Sequence, residues 1–504
     1  MFRLLAIILL LPFVLAAQEY PSGLVFDDAA YAAQSVLSPQ TGGKSIPSRV
    51  DLSVYCPYSR HQGTIFSCVG WSVGYGALTI ERAIQKNWTD KAQITNESSS
   101  ALFLYNQIKL SDCNRGSRIS DALQFLQDKG DCLAKYFDKN LDDCAQTPTP
   151  DLVAHAAQYK ISDYAALFKE EDDADYKILT LRRALAEKKP VVIGLRIRNN
   201  FYKLESADFW YPDLGDTTFA GGHAMVIVGY DDNRSAFQLF NSWGTKWGRN
   251  GFIWVKYEDL ARYVKYAYVI YLGQGKPIEL TRAAPGQSGV TAAANVAPAE
   301  PKIEEAPLRE LSGSFQFMHF SGQFAANGEP IFREAAVQGQ KNTYRLAGDW
   351  SVGDKFQLHI EPGQVNGYVY ALSVDAGGKA EIHWPRNEAL NEKFKGEHHS
   401  ALSPFAGGVV RIPGMTRVMK LSQPGQEFFL ILFSEKKIQA PFMHYLRDYL
   451  AGAGANLPNK LQEVLGEHQI PASETHFSPD AMQFKAITRN PGAMVPILLS
   501  IAVR

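Results

Sequence analysis

The chain has almost no net charge, few cysteines and, beyond its first residues, no long apolar run. Lys and Arg number 51 against 52 Asp and Glu, a formal net charge of −1. No field of one sign is then present to draw in nucleic acid or an anionic membrane surface. After Leu15 no stretch is apolar for long enough to cross a bilayer. Only five cysteines occur, none of them after Cys144. The histidines of the C-terminal half, His398-His399 among them, have no cysteine partner and no metal-ligand spacing. They are read as surface or structural residues, and no metal or other cofactor is expected.

What is present begins with an address. Met1–Ala17 carries one positive residue, Arg3, then an apolar run from Leu4 to Leu15 and the small pair Ala16-Ala17. This is the pattern of a secretory signal peptide, too short to span a membrane. No cysteine lies near its end to take a lipid anchor, so the protein is expected to be secreted or periplasmic. In an exported chain an odd cysteine count flags one free thiol. Cys68 is the choice for it. Cys56, Cys113, Cys132 and Cys144 are then expected to form two disulfides, with three connectivities open, unless some stay reduced. The 504 residues leave room for two or three domains with full cores.

Three stretches carry chemistry. In His61–Ile80, Cys68 follows Gln62-Gly63 and opens an apolar segment that suits a buried helix to about Gln85. Gly70, Gly74 and Gly76 oppose a helix; we infer that they allow close packing against another element. A cysteine at a helix N-terminus sits in a field that favours its thiolate. In Ala220–Tyr230, His223 follows two glycines and begins a strand-like run. In Phe240–Val255, Asn241 precedes Trp243, Trp247 and three glycines, and Asn250-Gly251 signals a hairpin turn. Cysteine, histidine and asparagine are the parts of an activated thiol nucleophile: a base takes the thiol proton and a third group orients the base.

Taken together, Gln62-Gly63 with Ser67-Cys68, Gly222-His223-Ala224 with Val228-Gly229-Tyr230, and Asn241-Ser242-Trp243-Gly244 with Trp247-Gly248 and Gly251 resemble the papain-like cysteine peptidases. The resemblance runs from about Pro47 to Leu272 and is closest to secreted bacterial members with a Ser-Cys-Val-Gly-Trp block. Ile65 and Phe66 stand where the family has Cys-Gly, and Val69 where it has Trp. The resemblance implies Cys68 as nucleophile, His223 as general base and then acid, and Asn241 as the group orienting the imidazole. It implies that Trp243 shelters the His–Asn hydrogen bond and borders the substrate. The Gln62 side chain and the Cys68 N–H would form an oxyanion hole. Gly116 matches a glycine that pairs with substrate backbone, with Arg115 in place of a second glycine, and Gly222 is expected to border the substrate. Because Ile65 replaces the family's cysteine, Cys113 is expected to bond Cys56, leaving Cys132 to Cys144.

The expected fold is α+β. A two-lobed papain-like domain over 47–272 has a helical lobe carrying the cysteine and a β-barrel-like lobe carrying His223 and Asn241. Residues 18–46 are a short extension, with no room for the long inhibitory pro-segment of many relatives; either latency is absent or another segment supplies it. Helices are expected over Asn96–Asp112, Ile119–Lys129 and Ile178–Lys188, and strands over Val191–Ile197, Ala224–Val228, Ala236–Phe240, Phe252–Val255 and Tyr266–Tyr271. The acidic run Glu170–Asp175 reads as a solvated loop. Residues 273–312, rich in Ala, Pro, Gly and Glu, read as a linker. Short runs divided by Gly and Pro over 313–504 suggest a β-rich, sandwich-like accessory domain, like the module of unknown function appended to similar secreted peptidases. The implied function is a secreted cysteine endopeptidase acting on a peptide or protein substrate. Two rivals are an acyl transferase using the same residues and an inert peptidase fold whose C-terminal domain binds a surface partner.

Overall fold

The computed structural model describes residues 20–37, 46–216, 218–272, 308–325, 330–363, 367–403, 408–414, 417–471, 473–489 and 493–504. The signal-like segment 1–17 and nearly all of the linker-like stretch 273–312 lie outside the described residues. The chain divides into two units. The first holds 20–28, 48–164 and 173–272. The second holds 29–37, 46–47 and 165–172 together with the residues from 308 onward.

The first unit is built on the helix that starts at Cys68. It runs as α1 (Cys68–Gly70), a π-helical stretch (Trp71–Leu78) and α2 (Thr79–Gln85). Every residue from Cys68 to Ala83 is buried. The glycines do what their pattern implied. A Cβ on Gly70 would stand 2.3 Å from the Ala101 carbonyl oxygen, and one on Gly76 would stand 2.7 Å from Val226 Cγ2. Neighbouring backbone and sheet therefore pack where a side chain would sit. The π stretch was not expected; the Thr79 hydroxyl donates back five residues to the Gly74 carbonyl at 3.3 Å. Helices α3 (Ala101–Ile108) and α4 (Ile119–Asp128) pack beside it, within the predicted ranges but shorter. Asp138 ties down the start of α3, accepting from the Ala101 and Leu102 amides at 3.1 and 3.3 Å and from the Ser100 hydroxyl. These orphan donors at a helix start are satisfied by a side chain, as a buried terminus requires.

One disulfide is present, Cys113–Cys144, with Cα atoms 5.6 Å apart. The expected pairs Cys113–Cys56 and Cys132–Cys144 are not formed. Cys56 and Cys132 are buried free thiols. Cys56 is held elsewhere, its thiol 3.7 Å from the Leu52 carbonyl. Cys132 is fixed by its own backbone, whose carbonyl accepts from the Ser100 amide. Cys132 lies in the same apolar cluster as Cys144 and Cys113, whose thiols are spent on each other. The acidic run also differs from a plain loop, since the Asp173 side chain accepts from the Tyr176 amide and caps the helix Ala174–Ala186.

The strand lobe is an eight-stranded sheet. Its strands are β1 (Arg49–Asp51), β2 (Ile161–Ala166), β3 (Val191–Ile197), β4 (Phe209–Trp210), β5 (Gly221–Asp231), β6 (Ala236–Phe240), β7 (Phe252–Lys256) and β8 (Val264–Leu272). The order is β2-β8-β3-β5-β6-β7-β4, with β1 on β5. In register, Gly194 of β3 pairs with Ala224 of β5 on one side and with Tyr266 of β8 on the other. This places β3 beside the histidine strand and β8 one strand further on.

The second unit is a β-sandwich of two seven-stranded sheets, as its alternating runs implied. In one, strand Arg309–Phe324 lies between Lys355–Pro362 and Met482–Thr488. In the other, Gly425–Ser434 lies between Gly367–Val374 and Met494–Val503. Phe315, Phe317, Phe356, Phe429, Phe433 and Phe484 meet in a common core. Residues 35–37 belong here too, Val36 bridging His399 in parallel. Among the described residues no helix is long and apolar enough to cross a membrane.

Candidate active site

Cys68 opens α1 and is fully buried. Its approach is fixed by the Phe66 amide, which donates to the Cys113 carbonyl at 2.9 Å. The backbone N–H of Ala224, next after His223, approaches its sulfur. His223 and Asn241 are likewise buried, on β5 and just past β6. His223 Nε2 lies 2.7 Å from Asn241 Oδ1. That oxygen also accepts the Ser242 amide at 2.8 Å, which fixes it as an acceptor. The imidazole must therefore carry its proton on Nε2. Nδ1 is left with a lone pair and no hydrogen-bond partner. An imidazole oriented this way can take a proton from a neighbouring thiol.

Trp243 covers the pair, its ring stacked on His223 with centroids 4.3 Å apart and planes at 28°. Phe201 meets both rings edge-on. Gln62 is fully buried. Its Oε1 accepts the Ser242 hydroxyl at 2.7 Å, so its NH2 end is fixed by elimination, and Nε2 donates to the Ile65 carbonyl at 3.0 Å. One of its two N–H bonds is used there, leaving a second for another acceptor. Ser242 thus ties Gln62 and Asn241 together. It sits inside the Asn-Ser-Trp-Gly block, where the sequence reading gave it no role of its own.

A segment missed from the sequence runs through this site. Residues 20–27 lie across it as an extended strap that ends where Asp28 opens the helix Asp28–Ala32. Tyr20 stacks on Trp243 with centroids 5.2 Å apart, and the Pro21 carbonyl accepts from the Trp243 indole N–H at 2.9 Å. The Leu24 amide donates to the Gly222 carbonyl at 3.1 Å. Opposite, the Val25 amide donates to the Ser117 carbonyl, and the Ser117 amide donates to the Gly23 carbonyl, both at 3.0 Å. Gly116, at φ +68°, gives the strap room: a Cβ there would stand 2.0 Å from the Gly23 oxygen. At Gly222 it would stand 2.5 Å from the Leu24 oxygen. A Cβ on Gly23 itself would meet the Phe66 carbonyl at 2.1 Å. Gly116, Gly222 and Trp243, expected to border a substrate, all border the strap. Arg115 points away, exposed and 3.7 Å from Asp112.

Under this cover the site is buried. Burial pushes the Cys68 thiol up to about 12, against weaker opposing help from the Ala224, Val69 and Leu24 amides. Burial likewise pushes His223 down to about 4, with the Asn241 bond opposing. The sequence reading expected a thiolate from the helix field. The helix amides act in that direction, but desolvation outweighs them, and the covered pair rests neutral. A stability profile follows. His223 is kept neutral when folded, so the unfolded chain binds more protons and stability falls as pH drops from about 6.5 toward 4. Cys68 keeps its proton when folded, so stability also falls as pH rises above about 9. Urea midpoints measured across pH should show a plateau between, and His223→Gln should flatten the acid limb.

Residues 47–268 match the family described as papain family cysteine protease. An uncharacterized peptidase C1-like protein of Acanthamoeba polyphaga mimivirus is 26% identical over 206 residues, 40% of this chain and 64% of that protein. A cathepsin B-like cysteine proteinase 3 of Caenorhabditis elegans is 25% identical over 217 residues, 39% of this chain and 56% of that protein. The chain thus spans about three-fifths of these curated relatives. Among solved structures, xylellain, a cysteine protease from Xylella fastidiosa, superposes with a TM-score of 0.42 at 24% identity, covering 51% of this chain and 97% of that one. Over residues 47–268, this chain is thus similar to the papain family of cysteine proteases.

Proposed function

We propose that the protein is an exported cysteine endopeptidase whose nucleophile is Cys68. The observation that carries this reading is the His223 imidazole, held through Nε2 by Asn241 with Nδ1 unpartnered, on the strand that abuts the thiol. With the strap displaced, His223 Nδ1 takes the Cys68 proton. The thiolate adds to a peptide carbonyl carbon, and the oxygen's developing charge meets the second Gln62 N–H and the Cys68 amide. The C–N bond then breaks as His223 returns the proton to the leaving amine. Water, deprotonated by His223, releases the acyl group and restores the thiol. Substrates are peptides or proteins in extended form, because the strap that fills the cleft is itself extended and pairs by backbone on both sides. Residues 47–272 serve as the peptidase domain, and the sandwich from 313 onward serves as an accessory domain.

The orienting role of Asn241 tests this reading. Asn241→Ala is expected to lower kcat for peptide hydrolysis about 100-fold, the scale of a misplaced catalytic group, with KM little changed. Equal kcat in the variant and the parent would remove Asn241 from the mechanism.

A further inference from the structure

We infer that Lys265 and Tyr266 form a carboxylate-recognising corner of the substrate cleft, selecting peptides with an acidic side chain there beside an aromatic one lodged against Gly194 and Gly222. The inference rests on the peptidase reading and deepens it by naming a substrate class.

The strap supplies the argument. In an extended chain alternate side chains share a face. Leu24 and Phe26 turn toward the strand lobe; Asp28, which opens the helix Asp28–Ala32, reaches the same side through its side chain, while Asp27 turns the other way, to Arg118 at 3.3 Å. Phe26 lies in a slot floored by two glycines: a Cβ on Gly222 or Gly194 would stand 2.9 or 3.4 Å from its ring. Tyr266 closes one wall edge-on, with centroids 5.2 Å apart, and Phe219 another at 6.3 Å. The Lys265 ammonium stands 5.0 Å from the Phe26 centroid. It also reaches Asp28 Oδ1 at 2.6 Å, and the Tyr266 hydroxyl donates to that same oxygen. These two hydrogen bonds hold the Asp28 carboxyl below its ordinary range, with a contribution from the charge on Arg196.

The acceptor belongs to the strap, but the donors belong to β8. Tyr266 pairs with Gly194, which pairs with Ala224 beside His223, so the corner is built into the wall of the site. When the strap leaves, an aromatic slot remains with an ammonium and a phenol converging at its edge. A substrate carboxylate can repeat both charge-assisted bonds. A substrate lysine would face like charge. The Asp28 side chain is 62% exposed, so water screens this corner and the preference is moderate.

The test uses the full-length Gly23→Val protein, whose strap is displaced by the clash with Phe66, and internally quenched peptides with one phenylalanine. The residue two positions away, on either side, is Asp, Asn, Ala or Lys. We expect kcat/KM for the best Asp peptide to exceed its Asn twin about tenfold, with Lys lowest. Lys265→Met should erase the Asp–Asn difference while the Ala peptide is still cleaved, and Tyr266→Phe should reduce it partway. Equal rates on Asp and Asn peptides, or a preference that survives Lys265→Met, would overturn the corner and leave the peptidase reading intact. No cleavage of any peptide would overturn both.

Discussion

Replacing Cys68 by alanine is expected to lower kcat/KM for peptide hydrolysis by about 100,000-fold or more, the scale seen when a covalent nucleophile is lost. The loss should be this large because nothing nearby can take over. The other free thiols, Cys56 and Cys132, are buried, and desolvation raises both well above the ordinary thiol range. Neither sits next to a base whose free nitrogen is already fixed. His223 alone, with Cys68 gone, can still polarise water, but it cannot form an acyl intermediate. The fold should survive the change, since a small side chain is lost from a helix held by Gly70 against Ala101 and by Ser72, which bonds the Cys68 carbonyl at 2.9 Å. An unchanged melting temperature beside the lost rate would assign the effect to chemistry.

The second large effect is a gain. Gly23→Val in the full-length chain is expected to raise kcat/KM roughly 100-fold over the parent. The figure follows from what holds the strap. Four backbone hydrogen bonds join it to Gly222 and Ser117, two of them sharing the Gly222 carbonyl; counting the shared pair as one, each is worth about 1 kcal/mol net, which leaves the cleft open roughly 1% of the time. A valine Cβ 2.1 Å from the Phe66 carbonyl cannot be accommodated, because its neighbour is backbone at the turn into α1. Displacement also rehydrates the site. The Cys68 thiol should fall from its raised value and His223 should rise, so the thiol reacts with alkylating agents faster in the variant at neutral pH. If parent and variant hydrolyse peptides and alkylate at the same rate, the strap does not control access.

The residues that meet at the candidate site were legible because their signals are local. Asn241-Ser242-Trp243-Gly244 needs its order for the turn that brings Asn241 under Trp243, and Cys68 needs a helix start. The helix from Cys68 to Gln85 was readable from its apolar length, and its glycines from the packing they imply. The π-helical stretch was not, because it reflects how Gly70 and Gly76 are pressed by Ala101 and Val226, residues far away in sequence. The same holds for the disulfide. Four candidate cysteines offer several pairings, and only the placement of α3 and its flanking loops brings Cys113 to Cys144. The strap was the largest omission. Leu24-Val25-Phe26 reads as a short apolar run between Pro21-Ser22-Gly23 and Asp27-Asp28, with no periodicity long enough to mark it. Its meaning lies in partners at Gly116, Gly222 and Lys265. Whether any segment covers the site was therefore open in the sequence, and the contacts of residues 20–28 show one lying across it. The sandwich strands were legible from their alternation, although their sheet order was not.

The most direct test of the central claim is covalent labelling of the Gly23→Val protein with a papain-directed epoxide, read by peptide mass spectrometry alongside hydrolysis of a mixed peptide library. Three free thiols compete for the reagent. The account predicts a single label on Cys68, loss of hydrolysis in proportion to labelling, and no label when His223 is replaced by glutamine. Hydrolysis that persists after Cys68 is fully labelled, or inactivation that tracks a label on Cys56 or Cys132, would contradict it.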